Sequence, residues 1–516
     1  MAIHVVWFKR DLRTEDHAPL ADAAGRGPTL PLYIAEPGLW AQPDAAGRQW
    51  AFLEDSLTEL RAALSRLGQP LVVRVGGAID VLSALHGEHA IAHLWSHQET
   101  GTAWTYARDR LVAAWCRDHG VPWTQVAQHG VVRGLRRRDG WAKAWEASMA
   151  RPVQTTPAAL APLMTDPGPI PTAGDLGLAA DPCPDRQPGG RVAGLERLSS
   201  FLTDRGARYH KEMSSPVTAY SACSRLSAHF AWGTLSIREA LQALRRRQDA
   251  VRALPPTARG SWLTALRAFD GRLHWHCHFI QKLEDEPRLE TENQHPAYDG
   301  MRPDGPDPAR LVAWATGQTG FPFLDACMRA LAATGWINFR MRAMLMAVSS
   351  YQLWQPWQPA SRHLARLFVD YEPGIHYPQC QMQSGTTGIN TIRMYNPVKQ
   401  SQDQDPDGVF IRRWVPELAG VSGAAIHQPW RLSADDQRAA GCRIGTDYPA
   451  PIVDLAASAR AARDAVLAVR RGDGFRAQAD AIQAKHGSRK SGLPPSNPAR
   501  RRDARSASPA QGRLDL

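Results

Sequence analysis

Four short apolar runs recur in the first hundred residues: IHVVWF (3–8), TLPLYIA (29–35), PLVVRVG (70–76) and IAHLWS (91–96). Amphipathic stretches, such as 48–67 and 103–119, lie between them. Apolar runs of this length read as strands buried on both faces. Their alternation with helices implies a parallel sheet covered on both sides. Residues 1–130 are therefore expected to form an α/β domain with a Rossmann-like parallel sheet. No GxGxxG follows the first run, so the usual dinucleotide fingerprint is absent there.

The remainder reads differently. Residues 131–195 are expected to connect two domains, and 151–190 hold nine prolines with no helical period. From 196 to 484 strand signals fade. Helical candidates follow at 195–206, 221–231, 236–253, 261–283, 308–315, 322–333, 336–354, 360–369 and 451–470, which implies an all-α second domain. Residues 485–516 are polar and rich in Pro, Ser and Arg, and are expected to be disordered.

Charge and cysteine narrow the partners. The formal charge is +11, but residues 485–516 carry eight Lys/Arg against two Asp, so the body is only mildly basic. That is compatible with nucleic acid without demanding it. The seven cysteines are far apart and form no CxxC. This argues against a disulfide framework, a zinc site or an iron–sulfur cluster, and no metal site is expected. No apolar run approaches a membrane span, and the N-terminus reads as a strand rather than a signal peptide. A cytoplasmic monomer is the expectation.

Four motifs carry more specific information: VVWFKRDLRTEDHAPL (5–20), SACSRLSAHFAWGTLSIREAL (221–241), TGFPFLDACMRALAATGWINFRMRAM (319–344) and RMYNPVKQSQDQDPDGVFIRRWVPEL (393–418). In this order they resemble the photolyase/cryptochrome family from the first strand to about residue 420. The resemblance implies FAD in the helical domain and blue-light electron transfer. It implies repair of pyrimidine photoproducts in UV-damaged DNA or, alternatively, a cryptochrome-type sensor without repair that signals to an unidentified partner.

Read alone, SACSRLS is an ordinary helix N-cap. The resemblance places Cys223, Ser224, Arg225, Leu226 and Ser227 against the FAD phosphates, with Tyr209 upstream; Cys223 stands where the family usually has threonine. Arg342 and Asp370 fall on a salt bridge beside the isoalloxazine ring. Arg340, Tyr371 and Glu372 are further cofactor-binding candidates. Trp314 and Trp357 match the outer and middle members of the family's electron-transfer chain. The flavin-proximal member aligns with Cys380, a poorer relay than indole, so photoreduction is open to another aromatic such as Tyr377, Trp336 or Trp354. His376 aligns with the residue facing flavin N5, and its charge is expected to change near neutral pH.

The lesion pocket also departs from the family. Trp275 keeps one tryptophan position of pyrimidine-dimer enzymes. Arg272, Met382, Phe339 and Ala343 replace the other contacts, with Asn338 and Arg340 nearby. In HWHCHF (274–279), His274 and His278 stand four apart, a spacing open to metal, to proton donation or to ordinary polar contacts. In the N-terminal domain Glu99 is the candidate for bonding a folate antenna; another chromophore, or none, stays open.

Overall fold

The computed structural model describes residues 2–488. β1 (Ile3–Phe8), β2 (Thr29–Ala35), β3 (Val72–Val75), β4 (Ile91–His97) and β5 (Trp123–Val126) form one parallel sheet in the order β3-β2-β1-β4-β5. Central β1 sets Val5 opposite Leu30 on one side and Leu94 on the other. The α/β expectation holds. β5 was not anticipated: WTQV is short, polar at its two central positions and half-buried throughout.

The strand order reverses between β1 and β4. In such sheets the crevice outside the carboxyl ends at the reversal is where ligands usually bind. Here β1 runs into Lys9–Asp11 and β4 into His97–Glu99, and helical-domain residues close over them. Arg10 Nε donates to the Ala231 carbonyl at 3.0 Å, and its Nη2 donates to that of Tyr371. A Cβ on Gly233, at φ +69°, would lie 2.2 Å from the Arg10 carbonyl oxygen, so only glycine allows this approach.

The second half is helical, as expected. Its longest helix, Trp262–Asp285, packs against Pro373–Ser384. A Cβ on Gly374 would meet Ile280 Cα at 2.7 Å, so glycine is what lets these two helices touch. Pro373–Ser384 escaped the sequence reading because it contains Gly374 and an internal Pro378; tertiary packing holds it together, with Glu372 as its N-cap. The single helix expected at 221–231 is two, Pro216–Ala222 and Ser227–Ala231. Arg225 interrupts it with a left-handed backbone, φ +61°.

Residues 151–190 are irregular, apart from one turn of 3₁₀ helix. Trp141–Ala150, within the expected connection, is a helix whose Trp141, Trp145 and Met149 join the core of the helical half. The last described helix, Phe475–His486, enters the stretch expected to be disordered; the tail from 489 on lies outside the described residues. Among the described residues no helix is long and apolar enough to cross a membrane.

Candidate functional site: a cofactor cavity in the helical half

A cavity of about 560 Å³ opens between the helix Trp262–Asp285, the segment 209–230, the helix Phe339–Tyr351 and the segment 370–383. Cofactor sites typically occupy roughly 300–1,000 Å³. Tyr209, Cys223, Ser224, Arg225, Ser227, Trp275, Arg340, Arg342, Asp370, Tyr371, Glu372, His376 and Cys380 line it. Most of the candidates scattered over 170 residues of sequence thus meet on one surface. Leu226 turns its side chain into the core, and Glu99, Trp314 and Trp357 lie elsewhere.

The segment 223–226 has the geometry of an anion cradle. Arg205 Nη1 holds the Cys223 carbonyl at 2.7 Å, and Gln187 Nε2 holds that of Arg225 at 3.1 Å. The backbone N–H groups of Ser224, Arg225 and Leu226 find no acceptor among the described residues. A left-handed Arg225 followed by right-handed Leu226 is the kind of turn that points consecutive N–H groups to one side, where phosphate oxygens are held. The Arg225 guanidinium lies over Trp336 at 4.1 Å and Tyr220 at 4.8 Å, with its Nε buried and unpartnered. Burial pushes the Cys223 thiol up to about 12, so it stays neutral.

On another wall Arg342 Nη2 donates to Asp370 Oδ2 at 2.6 Å, while its Nε donates to the Ile337 carbonyl at 2.7 Å. Asp370 Oδ1, Asn338 Oδ1, Gln379 Oε1, Gln383 Oε1 and Arg340 Nε are buried polar atoms without a protein partner, all on cavity-lining residues. Natural interiors rarely leave such atoms unpaired unless something else satisfies them. Unused N–H groups, unused carbonyls and a charge pair together fit a dinucleotide with a polar ring edge, so the residues present fit FAD.

His376 departs from expectation. Its Nε2 lies 2.9 Å from the Ser361 carbonyl, so that nitrogen carries the proton, and Cys380 Sγ is 3.6 Å from it. Burial pushes the imidazole down to about 4, so its charge does not change near neutral pH. The buried Cys380 thiol is pushed up to about 12 and is not a thiolate at neutral pH. Trp314, expected as the outer, surface-reaching relay, is 1% exposed and packs against His363 at 5.5 Å. Trp357 is 2% exposed and donates to Asn293.

The HWHCHF histidines diverge around their helix. His274 packs edge-on against Trp141 and Trp145, and His278 Nδ1 pairs with Arg138 at 2.8 Å. His276 lines the cavity, and burial pushes it down to about 3. The described residues do bring Asp11, His17 and His97 into one buried cluster. His17 Nδ1 accepts from Leu20 N–H at 3.1 Å, so its proton sits on Nε2, which donates to Asp11 at 3.0 Å. A neutral imidazole so engaged has no lone pair for a metal.

Glu99 lies at the strand reversal, in a different cavity of about 60 Å³. Arg108 Nη2 donates to it at 2.5 Å and Lys9 Nζ is 3.9 Å away. The space is far below the usual range for cofactors, and the carboxylate is taken. A pterin does not fit at Glu99 in this arrangement.

Two contributors escaped the sequence reading. Lys282 lines the main cavity with its amine 4.9 Å from the Phe279 ring and no hydrogen bond or ion pair among the described residues; burial, then Arg138, push it down to about 7. Arg393 is exposed at the cavity edge. Five arginines, Arg225, Arg272, Arg340, Arg342 and Arg393, with Lys282 beside them, face two carboxylates, Asp370 and Glu372, around this cavity. Such a surplus draws in polyanions.

Comparison with known proteins fits this geometry. Residues 4–137 match the family model for DNA photolyase, and residues 269–468 that for the FAD binding domain of DNA photolyase. The chain is 30% identical over 491 residues to Cryptochrome DASH of Gloeobacter violaceus, covering 89% of this chain and 94% of that protein. It is 31% identical over 488 residues to the deoxyribodipyrimidine photo-lyase of Streptomyces griseus, covering 88% and 97%. Its fold matches the crystal structure of a bacterial class III photolyase from Agrobacterium tumefaciens with TM-score 0.79 and 25% identity, over 92% and 98% of the two chains.

Proposed function

This chain belongs to the photolyase/cryptochrome family, and on that premise we propose that it is a blue-light-driven lyase that repairs pyrimidine photoproducts in UV-damaged DNA. The observation that carries the reading is that one cavity of cofactor size is lined both by unpaired polar groups and by a surplus of basic and aromatic side chains. It offers unpaired N–H groups at 224–226 and the Arg342–Asp370 pair, together with the half-buried Arg272, Trp275 and Arg340 and the exposed Arg393.

FAD supplies the light absorption and the one-electron chemistry when bound. The chain's residues bind, orient and exclude water. Ser224, Arg225 and Leu226 hold the diphosphate through their N–H groups, with Tyr209, Cys223 and Ser227 enclosing it. Arg342 and Asp370 flank the ring system, and the free Asp370 oxygen accepts a bond from it. Arg340 and Arg393 take DNA phosphates, which set position rather than sequence. Photoproducts are out of reach inside a duplex, so the damaged nucleotides must be extruded, and the half-buried Trp275 offers a face on which they stack.

The lesion is not held as in cyclobutane-dimer enzymes, because Arg272, Phe339, Ala343 and Met382 line the cavity where those enzymes place other groups. His276 and His278 are both pushed below the usual histidine range by burial, so at neutral pH they donate neutral N–H bonds and not imidazolium protons. A folate antenna bonded to Glu99 enters this reading only if Arg108 releases that carboxylate. The second reading, a sensor without repair, is favoured by Cys380 at the relay position. One assay separates them. Reduced holoprotein with oligonucleotides carrying cyclobutane or (6-4) lesions is illuminated with blue light, and lesion loss is followed. Light-dependent loss of either lesion supports repair; none on both leaves the sensor.

A further inference from the structure

Cys380 leaves the flavin-proximal relay position without an aromatic ring, yet an aromatic route out of the cavity exists. Tyr371 forms part of the cavity wall. Its ring meets that of Tyr377 edge-on at 6.3 Å, and Tyr377 meets Trp357 at 6.4 Å. All three are buried. Both phenol hydroxyls donate to one atom, Asp44 Oδ2, Tyr377 at 3.1 Å. Asp44 comes from the α/β half, in the segment before the helix Gly47–Arg66, and is itself 6% exposed. It makes no ion pair among the described residues.

A single Tyr–Asp bond across a domain boundary needs no explanation beyond structure. Two phenols on one carboxylate oxygen, in ring contact, in a row leading from the cofactor wall to an indole, need more. Burial, together with the neighbouring carboxylate, holds both phenols well above the ordinary tyrosine range. Neither gives up its proton at neutral pH unless an electron leaves with it. Asp44 is placed to take that proton.

We infer that Tyr371 and Tyr377 are a proton-coupled redox relay, with Asp44 as the proton acceptor, standing in for the missing flavin-proximal tryptophan. The inference rests on the FAD reading above. Tyr371 gives one electron to the light-excited flavin and its hydroxyl proton to Asp44 Oδ2. Tyr377 then reduces the Tyr371 radical; Asp44 returns the first proton to Tyr371 and takes the one from Tyr377. The net change is one electron gained by the cofactor, one electron lost by Tyr377, and one proton moved from Tyr377 to Asp44. A thiol reductant in the medium restores the electron, and Asp44 gives the proton back. Trp357 extends the same path toward Asn293.

The test uses the FAD-loaded, oxidised full chain under blue light with a soluble thiol. Flavin reduction is followed by absorbance, and the protein radical by electron paramagnetic resonance of frozen samples. The wild type should show a tyrosyl signal and slower reduction in D₂O. Tyr371→Phe should remove the tyrosyl signal, and Tyr377→Phe should strand the radical on Tyr371, where it recombines with the flavin and lowers the yield of reduced cofactor. Asp44→Asn should slow reduction by roughly a hundredfold, the lower end of what a positioned proton acceptor contributes. Tyr377→Trp should keep the relay working and keep its dependence on D₂O, since Tyr371 still passes its proton to Asp44, while a new indole radical signal replaces the tyrosyl one. That gain shows the site to be intact, whatever the stability of the phenylalanine variants. Wild-type rates in both phenylalanine variants, or an FAD-loaded wild type that reduces with no tyrosyl signal, overturn the inference and leave the FAD reading standing. A chain that takes up no FAD overturns the reading beneath it.

Discussion

Asp370 and Arg342 meet at 2.6 Å on the cavity wall, and the second carboxylate oxygen of Asp370 is buried with no partner among the described residues. Half of this carboxylate holds the arginine and half waits for a donor. Removing its charge leaves Arg342 uncompensated and weakens the bond to the ligand. Charge-assisted hydrogen bonds are worth about 1.5–3 kcal/mol, so Asp370→Asn should weaken FAD binding by about 10–100-fold. Flavin fluorescence on dilution of the holoprotein measures this.

Arg225 is held in a left-handed conformation, which costs a non-glycine residue roughly 1–2 kcal/mol. Alanine there keeps that backbone cost and loses the stacking on Trp336; glycine loses the stacking but not the fit. Arg225→Gly should therefore be more stable than Arg225→Ala by about 1 kcal/mol, within that cost. Thermal melts of the two apoproteins decide it.

Lys282 is a buried amine with no hydrogen-bond partner among the described residues, and its folded pKa is about 7 against the ordinary 10.5. Between those values the unfolded chain binds more protons than the folded one, so stability rises with pH across this window. The penalty is largest below pH 7 and fades toward 10.5. Lys282→Met should stabilise the protein at neutral pH by about 1–3 kcal/mol, the usual scale for an unpaired buried polar group. Its advantage should shrink as pH rises. Melting temperatures at neutral and alkaline pH check both the sign and the trend.

Arg340 and Arg393 are assigned to phosphates, which gives a salt signature. Each lost phosphate contact lowers the slope of log K against log salt by about 0.9 on duplex DNA. Arg340→Gln and Arg393→Gln should each flatten the slope by about that much, equally on damaged and undamaged duplexes. Titration at several ionic strengths checks it.

Much of the architecture was legible because buried parallel strands and long amphipathic helices declare themselves by period. The four apolar runs became β1–β4, and the long stretches 236–253 and 261–283 became helices nearly as drawn. What was missed depends on contacts distant in sequence. Pro373–Ser384 contains glycine and proline and is helical because Ile280 and its neighbours receive it. The break at Arg225 reflects one left-handed residue that nothing in SACSRLS announces. The cofactor candidates were found through motif resemblance and do converge, since motifs preserve what touches a ligand. Asp44 and Lys282 left no such signal. One lies in the polar stretch AQPDAAG, the other reads as a solvated end of an amphipathic helix, and only the tertiary fold buries them. The expected titration of His376 failed for the same reason: sequence gives the imidazole, and burial sets its charge.

The account depends on a flavin lying in the 560 Å³ cavity of the helical half. Flavin-stripped protein titrated with FAD and followed by absorbance and fluorescence quenching tests this most directly. The account predicts saturable uptake of one FAD per chain, sharply weakened by Asp370→Asn. A chain that purifies colourless and takes up no FAD under these conditions contradicts it.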